Sequence, residues 1–318
     1  MAATLQCYER NQGILDQVWS RIERRWRAYP RPLCRLATEL VATMGPEPHR
    51  YFSGPDAAPI LHLPIWLADR TGFPGLRDLL EATALAYLFV RIEDNVIDEP
   101  ATRGSPPQLL LGNLLLTDAI AVVATFASGD RFWQRARAAW MMFSGETEAE
   151  RVVLAQRQPY RLAAFRRHAR KVALARIPLY ALLARMRKDG DQRMAAVDRM
   201  IDRLGEAYGL VNDVLGFSRD LQSGTQTYLL STARSLLPRN RQSDPVALRN
   251  SLIAAPLFEQ FLRRAIRLQK RALVAGQELG IRAMAGYTEE RIARIEHHIR
   301  QATTLRLAVA LAQGKPAQ

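Results

Sequence analysis

Four residues in this chain have the type and spacing of an oxygen-only cation site. Asp94 and Asp98 stand four apart in the run Tyr87-Leu-Phe-Val-Arg-Ile-Glu-Asp94-Asn-Val-Ile-Asp98. On a helix their carboxylates share one face, with Asn95 rotated away from it. Apolar Leu85, Leu88, Phe89 and Ile92 just upstream say that this helix is largely buried. Two like charges one turn apart repel, and burial raises the cost unless cations compensate. Mg²⁺ meets that need, because it takes one or two carboxylates and completes its shell with water or phosphate oxygens. Together with Glu93 and Glu99, the same residues also read as a solvated helix end. The second set lies in Gly205-Glu-Ala-Tyr208-Gly209-Leu-Val-Asn212-Asp213-Val-Leu-Gly216-Phe-Ser-Arg-Asp220. Asn212, Gly216 and Asp220 follow one helical stripe, and Asp213 is offset from it by about 100°. Gly205, Gly209 and Gly216 accompany that stripe, although each glycine costs a helix interior about 1 kcal/mol. Close approach by a ligand or by another helix explains them equally well.

The elements that must position these residues are helices. Ile14, Leu15, Val18, Trp19, Ile22 and Trp26 trace one apolar stripe of period 3.6 before Pro30 and Pro32 break the chain. The spacing predicts further helices at about 75–98, 106–128, 130–143, 159–187, 191–223, 245–280 and 288–313. Breakers separate them, among them Pro74-Gly75, the Gly104-Ser-Pro-Pro107 run, Ser128-Gly129, Asp189-Gly190 and the segment from Pro238 to Pro245. Pro178 should kink the 159–187 helix. No run alternates with the period of a strand. The expectation is therefore an all-α fold, with residues 1–318 forming a single domain whose long helices pack as one large bundle.

Taken together, the two motifs resemble the class I isoprenoid (terpenoid) synthase superfamily. Asp94-Asn-Val-Ile-Asp98 is similar to its Asp-Asp-x-x-Asp motif, with Asn at the second place. Asn212-Asp-Val-Leu-Gly216-Phe-Ser-Arg-Asp220 is similar to the Asn-Asp-x-x-Ser-x-x-x-Glu motif of terpene cyclases, with Gly for Ser and Asp for Glu. The first change removes one ligand oxygen, and the second shortens the reach of a carboxylate.

The resemblance implies that Asp94, Asp98, Asn212 and Asp220 are the catalytic metal ligands. They would hold about three Mg²⁺ ions with a C15 or C20 prenyl diphosphate, whose departure needs its charge neutralised. Basic residues on the helix before the second motif, Arg166, Arg170 and Lys171, stand where such enzymes sense diphosphate, with Arg291 as a further contact. One to three turns inward from the ligands, Thr83, Tyr87, Val90, Gly205, Tyr208 and Gly209 would line the hydrocarbon pocket, Tyr87 and Tyr208 being equally readable as core. The implied activity is a Mg²⁺-dependent terpene synthase, a lyase that ionises its substrate and cyclises the cation. A chain-elongating prenyl diphosphate synthase and a squalene- or phytoene-type head-to-head coupling enzyme are the alternatives. Outside the superfamily, the rival is a basic helical binding protein.

Composition narrows the partners. The 318 residues carry a net charge of +14, and among the 45 basic residues only Lys171, Lys188, Lys270 and Lys315 are lysines. The arginines are scattered along amphipathic segments and form no basic tail, so nucleic acid is not an expected partner. Cys7 and Cys34 cannot build a disulfide framework or a zinc site, which fits a cytoplasmic protein. The apolar run Leu109–Ala127 is long enough to span a bilayer, but Asn113, Thr117 and Asp118 interrupt it. A buried central helix is therefore expected there and no transmembrane span. Peripheral membrane contact and a homodimer remain compatible with this composition.

Overall fold

The computed structural model describes residues 2–44, 59–69, 72–98, 106–155 and 159–312; within these, the side chains of residues 2–8, 98, 106 and 155 lie outside the description. The described residues are helical with no strand: α1 (Ala2–Arg27), α2 (Arg31–Ala42), α3 (His62–Ala68), α4 (Leu76–Asp98), α5 (Pro106–Phe126), α6 (Asp130–Ala155), α7 (Leu162–His168), α8 (Arg176–Arg185), α9 (Asp191–Ser223), α10 (Tyr228–Ser235), α11 (Pro245–Ala254), α12 (Leu257–Glu278) and α13 (Met284–Ala312). Two compact units emerge from the chain's contacts.

The first unit takes residues 1–136, 175–194 and 279–283. The expected stripe of α1 is buried, Ile22 completely. Arg21 and Arg25 extend from α1 to α4, where they pair with Asp78 and Glu81, and Arg25 also approaches Asp118 of α5. Asp118 accepts the Tyr29 hydroxyl at 2.7 Å, so the acid that interrupts the apolar run is satisfied by neighbours. Gly75 precedes α4 with φ +78°, and a Cβ there would fall 2.8 Å from the Phe126 ring. Leu79, Leu80, Leu85, Leu88 and Ile92 of α4 are fully buried, and α4 packs chiefly on α5. Contrary to expectation, α5 is no buried central helix. It is apolar enough to cross a membrane by length and composition, yet only 28% of that stretch is buried. Leu111, Leu115, Ala119, Val123 and Phe126 face inward, whereas Leu109, Leu110 and Ile120 are exposed.

The second unit takes residues 137–174, 195–278 and 284–318. Its core joins α9, α10, α11, α12 and α13 through Leu210, Leu229, Leu252, Leu262 and Ile295. Thr227 and Asp244 cap α10 and α11 by accepting backbone N–H groups in the first turn. The helix expected at 245–280 is two helices. Pro256 pushes Ala255 into an extended conformation (ψ 136°), and α12 starts afresh at Leu257. The helix expected at 159–187 breaks one turn before Pro178, into a 3₁₀ segment over Ala169–Ala175. Proline cannot donate to the carbonyl four residues back and its ring crowds that carbonyl, so the strain falls on the preceding turn. By contrast, α9 runs as expected from 191 to 223.

Candidate functional site

The first unit holds the first motif on the last turns of α4. Asp94 is partly exposed and Asn95 is buried, in keeping with their separation around the helix. Asp98 is the last residue of α4, and its side chain lies outside the described residues. Glu93 is the unexpected member. Its carboxyl is half-buried with Oε2 lacking a hydrogen-bond partner. Burial first, and then the neighbouring Asp94 charge, push it up to about 7. Of the residues expected to line a pocket from α4, Thr83 is buried with its hydroxyl donating to the Leu79 carbonyl at 2.7 Å. Tyr87 and Val90 are half-buried.

The second unit holds the second motif on α9. Asn212 is exposed and Asp220 is buried. The Arg219 guanidinium donates to Asp220 Oδ1 through Nε at 3.1 Å and Nη2 at 3.0 Å. A Cβ at Gly216 would meet that Nη2 at 2.9 Å and Asp220 Oδ2 at 3.1 Å. The space next to the residue that stands in for serine is thus filled by the ends of two side chains. Asp213, off the stripe, serves a different purpose. Its Oδ2 accepts the Leu229 N–H at 3.0 Å and fixes the start of α10. Burial, the dominant cause, and then the Asp220 charge carry its carboxyl up to about 7, against the lowering effect of the backbone N–H groups of Leu229 and Tyr228.

The glycines of α9 answer to packing. The carbonyl oxygen of Ala169, in the 3₁₀ segment, lies 2.6 Å from where a Gly205 Cβ would sit, and the Phe165 ring lies 2.9 Å from the Gly209 position. Of the expected diphosphate contacts, Arg166 stands 3.6 Å from the buried Glu206, which also accepts from Arg203. Arg170 is exposed. Lys171 donates to Glu150 of α6. Arg291 is buried with its guanidinium 4.6 Å from the centre of the Tyr208 ring, a cation–π contact that joins two residues expected to act separately.

Sequence reasoning missed one constellation, because its members are scattered through the chain. The Tyr160 hydroxyl donates to Glu150 Oε1 at 2.9 Å and stands 2.7 Å from Nδ1 of the buried His168. The hydroxyl has one proton and the carboxylate takes it, so His168 Nδ1 must be the donor to the tyrosine oxygen. Nε2 then carries the lone pair, buried and without a hydrogen-bond partner, at a cost of about 1–3 kcal/mol. Burial pushes the His168 pKa down, which keeps the ring neutral.

No family model matches the sequence, and neither does any curated protein. Solved structures do match. A decaprenyl diphosphate synthase from Rhodobacter capsulatus aligns over 94% of this chain and 99% of its own at 15% identity, with a TM-score of 0.70. A polyprenyl synthase from Caulobacter crescentus CB15, complexed with calcium and isoprenyl diphosphate, aligns over 91% and 97% at 16% identity, TM-score 0.70. A geranylgeranyl pyrophosphate synthetase from the archaeon Geoglobus acetivorans aligns over 93% and 98% at 14% identity, TM-score 0.67. At such identities the likeness is one of fold: the chain has the all-α isoprenoid synthase fold.

Proposed function

We propose that this protein is an enzyme that ionises a prenyl diphosphate with the help of divalent cations. The reading rests on one observation: two acidic helix motifs with oxygen-only ligands, in a chain whose fold is shared with synthases of prenyl diphosphates. It assigns metal binding to Asp94, Asp98, Asn212 and Asp220, and diphosphate contact to Lys171, Arg166 and Arg170. Arg291, buried against Tyr208, is the more remote candidate. The donor set suits Mg²⁺. Glu93 Oε2, a buried acceptor with no partner beside Asp94, is the kind of group that a nearby cation would satisfy.

When bound, the cation supplies charge neutralisation at the departing diphosphate. The chain's own residues do the rest. Asp94 and Asp98 orient the ligand oxygens from α4, and Asn212 and Asp220 do so from α9. Lys171 and the arginines hold diphosphate oxygens through charge-assisted hydrogen bonds. Thr83, Tyr87, Val90 and Tyr208 supply walls that keep water from an allylic cation, with the tyrosine rings favouring positive charge. Gly205 and Gly209 enter this reading through their neighbours, since Ala169 and Phe165 take the space beside them.

Two chemistries share that ionisation. Similarity to polyprenyl and geranylgeranyl diphosphate synthases favours a transferase that passes the cation to a second isoprenoid. The second motif, Asn212-Asp-x-x-Gly216-x-x-x-Asp220, favours cyclisation within one substrate. Incubation with C10, C15 and C20 prenyl diphosphates and Mg²⁺, with and without isopentenyl diphosphate, decides between them by mass analysis. A lengthened diphosphate establishes the transferase, a cyclised hydrocarbon or alcohol the cyclase, and a doubled skeleton head-to-head coupling. Absence of diphosphate release with every substrate overturns the reading.

A homodimer belongs to this proposal too. The exposed face of α5 carries Leu109, Leu110, Asn113, Thr117 and Ile120 and no charged side chain. Two copies can meet there without opposing their net +14 charges. A bilayer is the poorer occupant, because Asn113 and Thr117 lie in the middle of the face.

A further inference from the structure

We infer that Glu150 is a positioning residue that holds the Lys171 ammonium in place for an anionic ligand. This rests on the proposed role of Lys171 in diphosphate binding. Both oxygens of Glu150 are engaged: Oε2 accepts from Lys171, and Oε1 accepts the Tyr160 hydroxyl at 2.9 Å. Tyr160 is in turn fixed on two sides, by His168 Nδ1 at 2.7 Å and by its own backbone N–H donating to Ser231 Oγ at 3.1 Å. The network therefore draws on α6, the segment before α7, α7 itself, the 3₁₀ segment and α10. Its members are shielded: Tyr160 and His168 are buried, and Glu150 is mostly so.

Three features separate this network from an ordinary surface ion pair. A flexible lysine normally gives up its freedom for little return when its partner is solvated. Here the carboxylate is immobilised before the lysine reaches it, so Lys171 meets a fixed acceptor. The network also tolerates an unmet buried acceptor at His168 Nε2, a cost that an apolar residue at that position would avoid. Finally, Lys171 stands within the 3₁₀ break, where the backbone is not held by a regular helix ladder and side-chain anchors must fix it.

The test is a double-mutant cycle on pyrophosphate binding, read by calorimetry with Mg²⁺ present, alongside each variant's Tm. Lys171→Met removes the cation and should weaken binding by about ten-fold or more. Glu150→Gln leaves the lysine in place but frees it, and should weaken binding by a similar factor. The double variant should bind no worse than Lys171→Met alone, because Glu150 acts only through Lys171. Tyr160→Phe keeps the ring and loses both hydroxyl contacts. It should weaken binding less, again with no effect in the Lys171→Met background, and it carries the test if Glu150→Gln does not fold. Losses that add in the double variant overturn the proposal and make Glu150 a general support of the fold. Unchanged affinity in Lys171→Met overturns it differently, by removing Lys171 from the diphosphate site, while loss of pyrophosphate binding in Asp94→Ala shows whether the wider reading stands.

Discussion

The two motifs make opposite demands on their carboxylates, and this sets what single substitutions should do. Asp94 is partly exposed next to a half-buried Glu93, whereas Asp220 is buried and paired with Arg219. Asp94→Ala and Asp98→Ala should each cut turnover by orders of magnitude at saturating Mg²⁺ with the helical circular dichroism unchanged; near-normal turnover would remove them from the metal site. Gly216→Ser restores the motif's hydroxyl. The atoms that it meets are the movable ends of Arg219 and Asp220, so the variant should fold and reach half-maximal activity at lower Mg²⁺. The raised carboxyls give a pH dependence that needs no ligand. Glu93 and Asp213 both sit at about 7 when folded, against roughly 4 for unfolded chains. The folded state therefore binds protons more tightly, and each group destabilises the protein as pH rises from about 4 through about 7. The slope is at most about 1.4 kcal/mol per pH unit for each group. In chelator, thermal stability should fall from pH 5 to pH 8. Asp213→Asn, which can still accept the Leu229 N–H, should flatten that fall, and an unchanged slope would show that Asp213 ionises freely.

At the scale of elements, the break between α7 and α8 is the part of the fold on which most residues converge. Pro178 unsettles the turn before it, Gly205 of α9 makes room for the displaced Ala169 carbonyl, and Lys171 is anchored within it. Gly205→Ala gains helix propensity worth about 1 kcal/mol but drives a Cβ into a backbone oxygen and Val172 Cγ2, each 2.6 Å away. A backbone atom cannot rotate clear, so overpacking of about 1–3 kcal/mol should win. Tm should drop; a higher Tm would mean that the segment shifts at no cost. The element boundaries separate what local sequence encodes from what it does not. The bounds of α9 are legible because Gly190-Asp191 starts an uninterrupted amphipathic run. Pro256 is masked by the apolar period that continues on both sides of it, although a proline always restricts the residue before it. The first and second motifs are readable because helical spacing alone places their members on shared faces. The Glu150–Tyr160–His168–Lys171 network is not, since four separate segments contribute it and no local period marks them. For the α9 glycines, spacing leaves pocket and packing open, and the neighbouring Ala169 and Phe165 supply the packing contacts.

For the whole molecule, the strongest departure from expectation concerns α5. Composition alone reads Leu109–Ala127 as a helix that must be hidden, with the rest of the same chain as its cover. Only one face is hidden that way. The inward residues pack on α4, while Asp118 turns to Tyr29 and Arg25 and leaves the outer face without charge. On a protein of net charge +14, an apolar, uncharged strip one helix long is where self-association meets the least repulsion. A seam of leucine and isoleucine interrupted by Asn113 and Thr117 also suits helix pairing, because a polar residue at such a position favours one register over others. The proposed homodimer would pair α5 with its copy about a two-fold axis, the same patch serving both chains. Leu110→Arg and Ile120→Arg each place a cation on that strip without touching the α4 contact. Sedimentation or light scattering should then find the parent as a dimer and the double variant as a monomer with its helical content intact. A parent that sediments as a monomer at micromolar concentration would reject the pairing, and binding to phospholipid vesicles that the two arginines abolish would assign the strip to a membrane surface instead.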